Sequence, residues 1–147
     1  IFSRQNIKTL PAGNDYSQAD KGAYIVAGSD EEFDVILLAS GSEVATLVAG
    51  AEMLRADDIK CRIVSVPSEG LFRRQPKAYQ NRILPPGKPK FGMTAGLPVT
   101  LEGLVGQDGE IWGLSSFGFS APYKVLDEKL GFTGQNVYNQ VKKMLKK

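Results

Sequence analysis

A strand–helix–strand pattern between residues 35 and 66 constrains the fold of this chain more than any other feature. The first strand, Val35-Ile36-Leu37-Leu38, is an unbroken apolar run of the kind buried on both faces of a sheet. The second strand runs from Cys61 to Val66. Apolar residues between them recur every three or four positions, as on the buried face of a helix: Val44, Leu47, Val48, Ala51 and Leu54. This order predicts a βαβ unit with a right-handed crossover.

The remaining sequence extends the same alternation of strands and helices. Short strands are predicted at 23–26, 90–94 and 110–114, and a short helix around 99–104. One or two short helices, interrupted at Pro76, are predicted in residues 68–84, and another helix from Pro122 to a stop at Gly131. Thr133 is expected to cap the last helix, which would bury Val137, Val141, Met144 and Leu145. We therefore predict an α/β fold: three layers, a mostly parallel (mixed) sheet of about five strands, and helices on both faces.

Composition excludes several kinds of active site. The chain has no histidine and a single cysteine, so it contains neither a Ser-His-Asp or Cys-His nucleophile nor the usual ligands of a zinc ion. A net charge of +2 does not suggest a nucleic-acid partner. No apolar run approaches the length of a transmembrane span, so no membrane partner is expected. The unpaired Cys61 fits a reducing compartment, and we expect a cytoplasmic protein.

The turn Ser40-Gly41-Ser42-Glu43 between the first strand and its helix has two interpretations. Backbone N–H groups at a helix N-terminus can hold an anion, which makes Gly41 and Ser42 candidates for a small-anion site. Against this, Glu43 would repel a phosphate, and the chain has no P-loop or GxGxxG motif. Ser40 and Glu43 have the spacing of a capping box, with Ser42 as a second candidate cap. We favour a capped helix entry.

Three other features are weaker candidates. Arg4 could bind a phosphate, although an arginine near a chain terminus is more often a surface residue. The loop FGFSAP (117–122), with the preceding Trp112, is either a partner surface or a loop that buries its own aromatics. A basic cluster around Arg73 and Arg82 is typical of a solvated helix face. Nothing in the spacing of Asp108 and its neighbouring glutamates forces them together as a catalytic pair.

Four segments, in order and at the right intervals, strongly resemble the C-terminal region of transketolases. They are SRQN (3–6), ASGSEV (39–44), RIVSVPSEGLF (62–72) and FGFSAPYKVLDEKLGFTGQNV (117–137). AYQNRILP (78–85) adds a fifth likeness. The resemblance covers essentially the whole chain. It implies that residues 1–20 are the terminal strand of a preceding pyrimidine-binding domain with its linker, and that residues 21–147 are the transketolase C-terminal domain. The start at IFSRQN without a methionine likewise suggests part of a longer protein.

The family moves a two-carbon ketol unit between sugar phosphates in the pentose phosphate pathway, using thiamine diphosphate and Mg²⁺ or Ca²⁺. The resemblance implies that Arg4 binds the substrate phosphate in the intact enzyme, and that the partners are the remaining domains and a second subunit of a homodimer. Gln107-Asp108-Gly109 only partly matches the family's cofactor motif, and no Asn pair follows it. We therefore expect no catalytic, cofactor or metal residue in this chain, and no activity from it alone.

Related two-carbon transferases that act on formaldehyde or use a pyruvate donor share this domain and stay as alternatives within the resemblance. Two alternatives belong to other classes of protein. One is a stand-alone regulatory module that binds a small anion at Ser40–Glu43. The other is an interaction domain that uses the FGFSAP loop as its surface.

Overall fold

The computed structural model describes residue 7 and residues 16–28 and 32–146. A 3₁₀ helix (Tyr16–Lys21) leads into five strands and six α-helices. The strands are β1 (Tyr24–Ala27), β2 (Val35–Ala39), β3 (Cys61–Ser65), β4 (Lys90–Met93) and β5 (Glu110–Trp112). The helices are α1 (Glu43–Arg55), α2 (Glu69–Arg73), α3 (Lys77–Ile83), α4 (Val99–Val105), α5 (Tyr123–Leu130) and α6 (Gly134–Met144).

The strands form one sheet in the order β1-β3-β2-β4-β5. The four strands β2 to β5 are parallel to one another, whereas β1 pairs antiparallel with β3 at the edge. Every residue of the central strand β2 is buried, which explains its unbroken apolar sequence. The predicted mixed, mostly parallel five-stranded sheet is therefore confirmed.

Alternate side chains of β2 enter two separate cores, one on each face of the sheet. Val35, Leu37 and Ala39 contact a cluster completed by α1 and α6, which we call the first core. Ile36 and Leu38 contact the second core, to which α2, α3 and α4 contribute. A strand projects successive side chains to opposite faces, so a strand between two helical layers must be apolar at every position.

Helices α1 and α6 pack so closely that their contact requires a glycine. Gly50 is buried in the middle of α1, and a Cβ placed there would lie 2.5 Å from Cγ1 of Val137 in α6. The sequence pattern did not include Gly50; Val48, which the pattern placed on the buried face, is partly buried and packs against the first core. A helix with glycine at the crossing point lets the partner's side chain approach the backbone directly.

The predicted helix boundaries hold where proline, glycine or threonine sets them. Pro76 separates α2 from α3, and Gly131 ends α5 in a left-handed conformation with φ of 76°. Thr133 caps α6, since its Oγ1 accepts a hydrogen bond of 3.2 Å from the backbone N–H of Asn136.

Two polar contacts that the sequence did not predict join distant elements. Arg62, which is only 7% exposed, stacks on the ring of Phe33 and donates to the carbonyl oxygens of Gly28 and Arg82. At the end of α1, the carboxylate of Asp57 accepts hydrogen bonds from Tyr138 and Lys142 of α6. Both hydrogen bonds hold the pKa of the Asp57 carboxyl below its ordinary value.

The 3₁₀ helix overlaps the segment predicted as a linker, which ends at residue 20, and continues to Lys21. The ring of Tyr16 packs edge-on against Tyr24, and Gln18 accepts hydrogen bonds from Tyr79 and Arg82. The residues before it, apart from Ile7, lie outside the described part of the chain. The division of the chain at residues 20 and 21 therefore stays a prediction.

Candidate functional site

The carboxyl edge of the parallel strands is where this topology would place a ligand. Strand β2 leads into α1 on the side of the first core, whereas its neighbour β4 leads into α4 on the side of the second core. In open α/β sheets, ligands bind at the carboxyl ends of two neighbouring strands whose helices lie on opposite faces. The turn Ser40–Glu43 after β2 and residues 94–96 after β4 occupy this position.

The turn after β2 does not have the predicted capping box. Ser42 is the N-cap residue of α1, but it has helical backbone angles and its side chain makes no capping hydrogen bond. Its hydroxyl instead donates to the Glu43 carboxylate over 2.8 Å. The capping prediction for Ser40 and Ser42 is therefore wrong. Ser42 already has the backbone conformation of the helix, and Glu43 is the first helical residue rather than the third, which a capping box with Ser40 would need.

The same geometry bears on the anion hypothesis for Gly41 and Ser42. Gly41 has a φ of 67°, and no atom lies within 4 Å of the position where a Cβ would stand, so the turn is open to solvent. The Glu43 carboxylate lies at the turn and accepts the hydrogen bond of the Ser42 hydroxyl, one of the two hydroxyl groups that the turn could offer to an anion. A negative charge in the first turn interacts favourably with the helix dipole, and it repels a second anion. The anion site stays a prediction.

Arg4, the predicted phosphate ligand, lies outside the described residues. The basic cluster on α2 and α3 has partners within the chain. Arg73 forms an ion pair with Glu69, and Arg82 stacks on Tyr79 and donates to Gln18. These contacts agree with the solvated helix face that the sequence favoured.

Carboxylates and sulfur do not gather into a metal site in the described residues. No three side chains of His, Cys, Asp or Glu there lie close enough together to hold a metal ion. Burial raises the pKa of the Cys61 thiol to about 12, so this sulfur is a poor nucleophile and a poor ligand. Burial lowers the pKa of Lys90, and the charge of Asp108 opposes that shift. None of the described helices is long and apolar enough to cross a membrane.

The loop after β5 exposes most of its aromatic surface. Phe117 is 97% exposed and Phe119 is 68% exposed. Trp112 at the end of β5 is partly buried, and its Nε1 donates to the carbonyl oxygen of Leu130 over 2.9 Å. Of the two interpretations that the sequence allowed, the exposed partner surface fits both phenylalanines, and the self-burying loop fits only the tryptophan.

Comparison with known proteins identifies the family. The profile of the family described as "Transketolase-like TK C-terminal domain" matches residues 22–133. Among curated proteins, Transketolase 2 of Vibrio vulnificus is 40% identical over 147 residues, which cover 99% of this chain and 22% of that protein. The transketolase of Aquifex aeolicus is 38% identical over 96% of this chain and 21% of its own length.

Solved structures agree with the sequence relatives. The structure of the transketolase from Leishmania mexicana superposes with a TM-score of 0.87 at 32% identity, over 97% of this chain and 20% of that one. The chain thus spans about a fifth of the length of the relatives that it matches. Because the family profile covers most of the chain and the fold is the same, this protein belongs to the transketolase C-terminal domain family.

Proposed function

We propose that this chain works as the C-terminal domain of a transketolase, the transferase that moves two-carbon ketol units between sugar phosphates. Its role there is that of a scaffold and subunit-contact domain. The observation that carries the proposal is the combination of a likeness over the whole chain with a fold that has two filled cores and no histidine. Such a body can position other domains, and without histidine it cannot form the His-dependent acid–base pairs and nucleophilic sites on which many enzymes rely.

The described residues do not fit the cofactor of the whole enzyme. Thiamine diphosphate is held through a divalent metal, Mg²⁺ or Ca²⁺, and this needs oxygen ligands that converge. The described residues hold no group of three or more His, Cys, Asp or Glu side chains that could bind a metal ion, and the groove at residues 95–97 and 114–118 has no charged lining. We therefore assign the cofactor and its chemistry to other domains of the enzyme.

One residue of this chain is proposed to touch the substrate. Arg4 lies in SRQN, the segment that resembles the phosphate-binding motif of transketolases. A guanidinium binds phosphate through two parallel charge-assisted hydrogen bonds, so Arg4 would anchor the sugar phosphate away from the reacting carbon. The further partner that we propose is a second subunit of the enzyme. The location that we propose is the cytoplasm.

Complementation tests the proposed function directly. The region that matches this chain is removed from the transketolase of Vibrio vulnificus. Ketol transfer by the shortened enzyme, by this chain and by their mixture is measured with thiamine diphosphate and Mg²⁺. We expect no turnover from either piece alone and turnover when the two are mixed. An unrelated α/β domain of similar size serves as the control for nonspecific stabilisation. Turnover by the isolated chain would refute the proposal.

A further inference from the structure

Two loops at the carboxyl edge of the sheet form an apolar groove that no element of the described chain covers. The loops follow β4 and β5, which are parallel neighbours, so both leave the sheet on the same side. Residues 95–97 and 114–118 line a groove of about 420 Å³ between them. We call this groove, together with the exposed side chains of both loops, the edge patch.

Several large apolar side chains of the edge patch are exposed to solvent. Phe117 and Leu97 line the groove from its two loops and are 97% and 56% exposed, and Phe119, two residues beyond Phe117, is 68% exposed. Val99, at the start of α4, is 60% exposed. Single apolar residues on a surface are ordinary, but several adjoining ones around a groove mark a site of contact with another molecule or domain.

Charge is absent from the edge patch. Charged residues make up 23% of the chain, yet none occurs in residues 91–101 or 111–123. Contacts that form and break are steered by complementary charges, whereas permanent interfaces resemble an apolar core cut in two. The composition of the patch is that of a permanent interface.

Backbone hydrogen bonds join the first residues of the two loops to each other. The strand pairing continues beyond β4 and β5, since the Leu114 N–H donates to the Gly96 carbonyl and the Thr94 N–H to the Trp112 carbonyl, each over 2.9 Å. The indole N–H of Trp112 donates a hydrogen bond to the carbonyl oxygen of Leu130, the last residue of α5. The base of the groove is thus ordered within the chain itself, which lowers the conformational entropy that docking costs there.

The part of the relatives that lies outside this chain indicates what covers the patch. Nearly four-fifths of the Vibrio vulnificus transketolase has no counterpart in this chain, and the matched part is the C-terminal domain. Resting on the function proposed above, we infer that the edge patch docks against an uncharged, apolar surface of the preceding part of the same transketolase, with Phe117 as the anchor of the contact. The occupant is thus the enzyme's own remaining domains, and neither a separate regulatory protein nor a second copy of this chain.

Binding to the shortened Vibrio vulnificus transketolase tests the inference. The shortened transketolase is titrated with the wild-type chain and with three variants, Phe117→Asp, Phe119→Asp and Leu71→Asp. Each Kd is measured by calorimetry. Leu71 is the matched control, because it is 41% exposed and lies on α2 outside the groove. Phe117 makes almost no contact within the chain, so its substitution should leave the thermal unfolding of the isolated chain unchanged.

We expect Phe117→Asp to weaken binding by at least about thirtyfold, as the loss of a buried aromatic anchor does, and Leu71→Asp to leave it unchanged. Equal binding by the wild-type chain and Phe117→Asp would overturn this inference and leave the proposed function standing. Absence of binding by the wild-type chain would overturn both. Gel filtration of the chain alone identifies the third outcome: a dimer that Phe117→Asp dissolves would make a second copy the occupant and overturn the inference.

Discussion

Replacing Gly50 by alanine should destabilise the protein, although alanine is the better helix former. A Cβ at position 50 would lie 2.5 Å from Cγ1 and 2.6 Å from Cβ of Val137, whereas ordinary contacts begin at 3.4 Å. Val137 is fully buried, so α1 and α6 would have to separate by about 1 Å to restore normal carbon–carbon contact. Overpacking of this kind costs about 1–3 kcal/mol, and the helix propensity of alanine offsets about 1 kcal/mol.

We expect a net loss of about 2 kcal/mol, at the upper end of this balance, because the clash involves two atoms of one fully buried side chain. For a domain of this size the melting temperature should fall by about 4–8 °C. The free energy of unfolding is measured by urea denaturation followed by circular dichroism. Gly70→Ala in α2 is the matched control, since a Cβ at Gly70 would meet no atom within 4 Å. That variant should be neutral or stabilised by up to about 1 kcal/mol.

A double-mutant cycle with Val137→Ala separates the clash from other causes. Truncation removes Cγ1 but leaves the Cβ that lies 2.6 Å from the new methyl group, so the relief should be partial. Gly50→Ala should cost about 1 kcal/mol less in the Val137→Ala background than in the wild type. The reasoning fails if Gly50→Ala is as stable as Gly70→Ala, or if the two substitutions are additive.

Three further predictions concern titration and substrate binding. Cys61, with its pKa raised to about 12, should react with iodoacetamide about a thousandfold more slowly in the native chain than in urea; mass spectrometry showing similar rates would contradict its burial. Folding lowers the pKa of Asp57 and raises the pKa of Lys142, because the two side chains form an ion pair. This ion pair therefore stabilises the folded chain at pH values above the unfolded pKa of the aspartate and below the unfolded pKa of the lysine. Asp57→Asn should therefore be less stable than the wild type from about pH 5 to pH 9, with the difference vanishing as pH falls through the native pKa of Asp57; a constant difference down to pH 2 would exclude this link. In the complemented enzyme, Arg4→Ala should raise KM for phosphorylated sugars by about tenfold or more and spare non-phosphorylated ones, with Arg74→Ala as the control; equal losses on both substrates would remove the phosphate assignment.

Secondary structure was predictable where the signal is local. The apolar run of β2 and the spacing of α1 follow from burial on two faces and on one face, respectively. Pro76 and Gly131 break helices because of their own backbone chemistry. The capping prediction at Ser40 failed because the helix begins two residues later than a capping box there requires: Ser42 is the N-cap residue, its backbone is already helical and its side chain makes no capping hydrogen bond.

The candidate site was less predictable than the fold. The segment FGFSAP could be recognised as rich in glycine and aromatics, but exposure of Phe117 depends on which elements lie beside it. The groove itself needs two loops that are about twenty residues apart in the chain and meet only because β4 pairs with β5. No local sequence pattern predicts that β4 pairs with β5.

The sequence by itself determined the α/β class, most element boundaries, the absence of histidine chemistry and the likeness to transketolases. These follow from side-chain periodicity, backbone preferences and residue identity, all of which act over a few positions. Only the tertiary structure decided that Gly50 is the contact point of two helices, that Asp57 ties α1 to α6, and that the loops after β4 and β5 share one uncharged surface. Each of these depends on the distance between residues far apart in the chain, which is fixed by the packing of the whole domain.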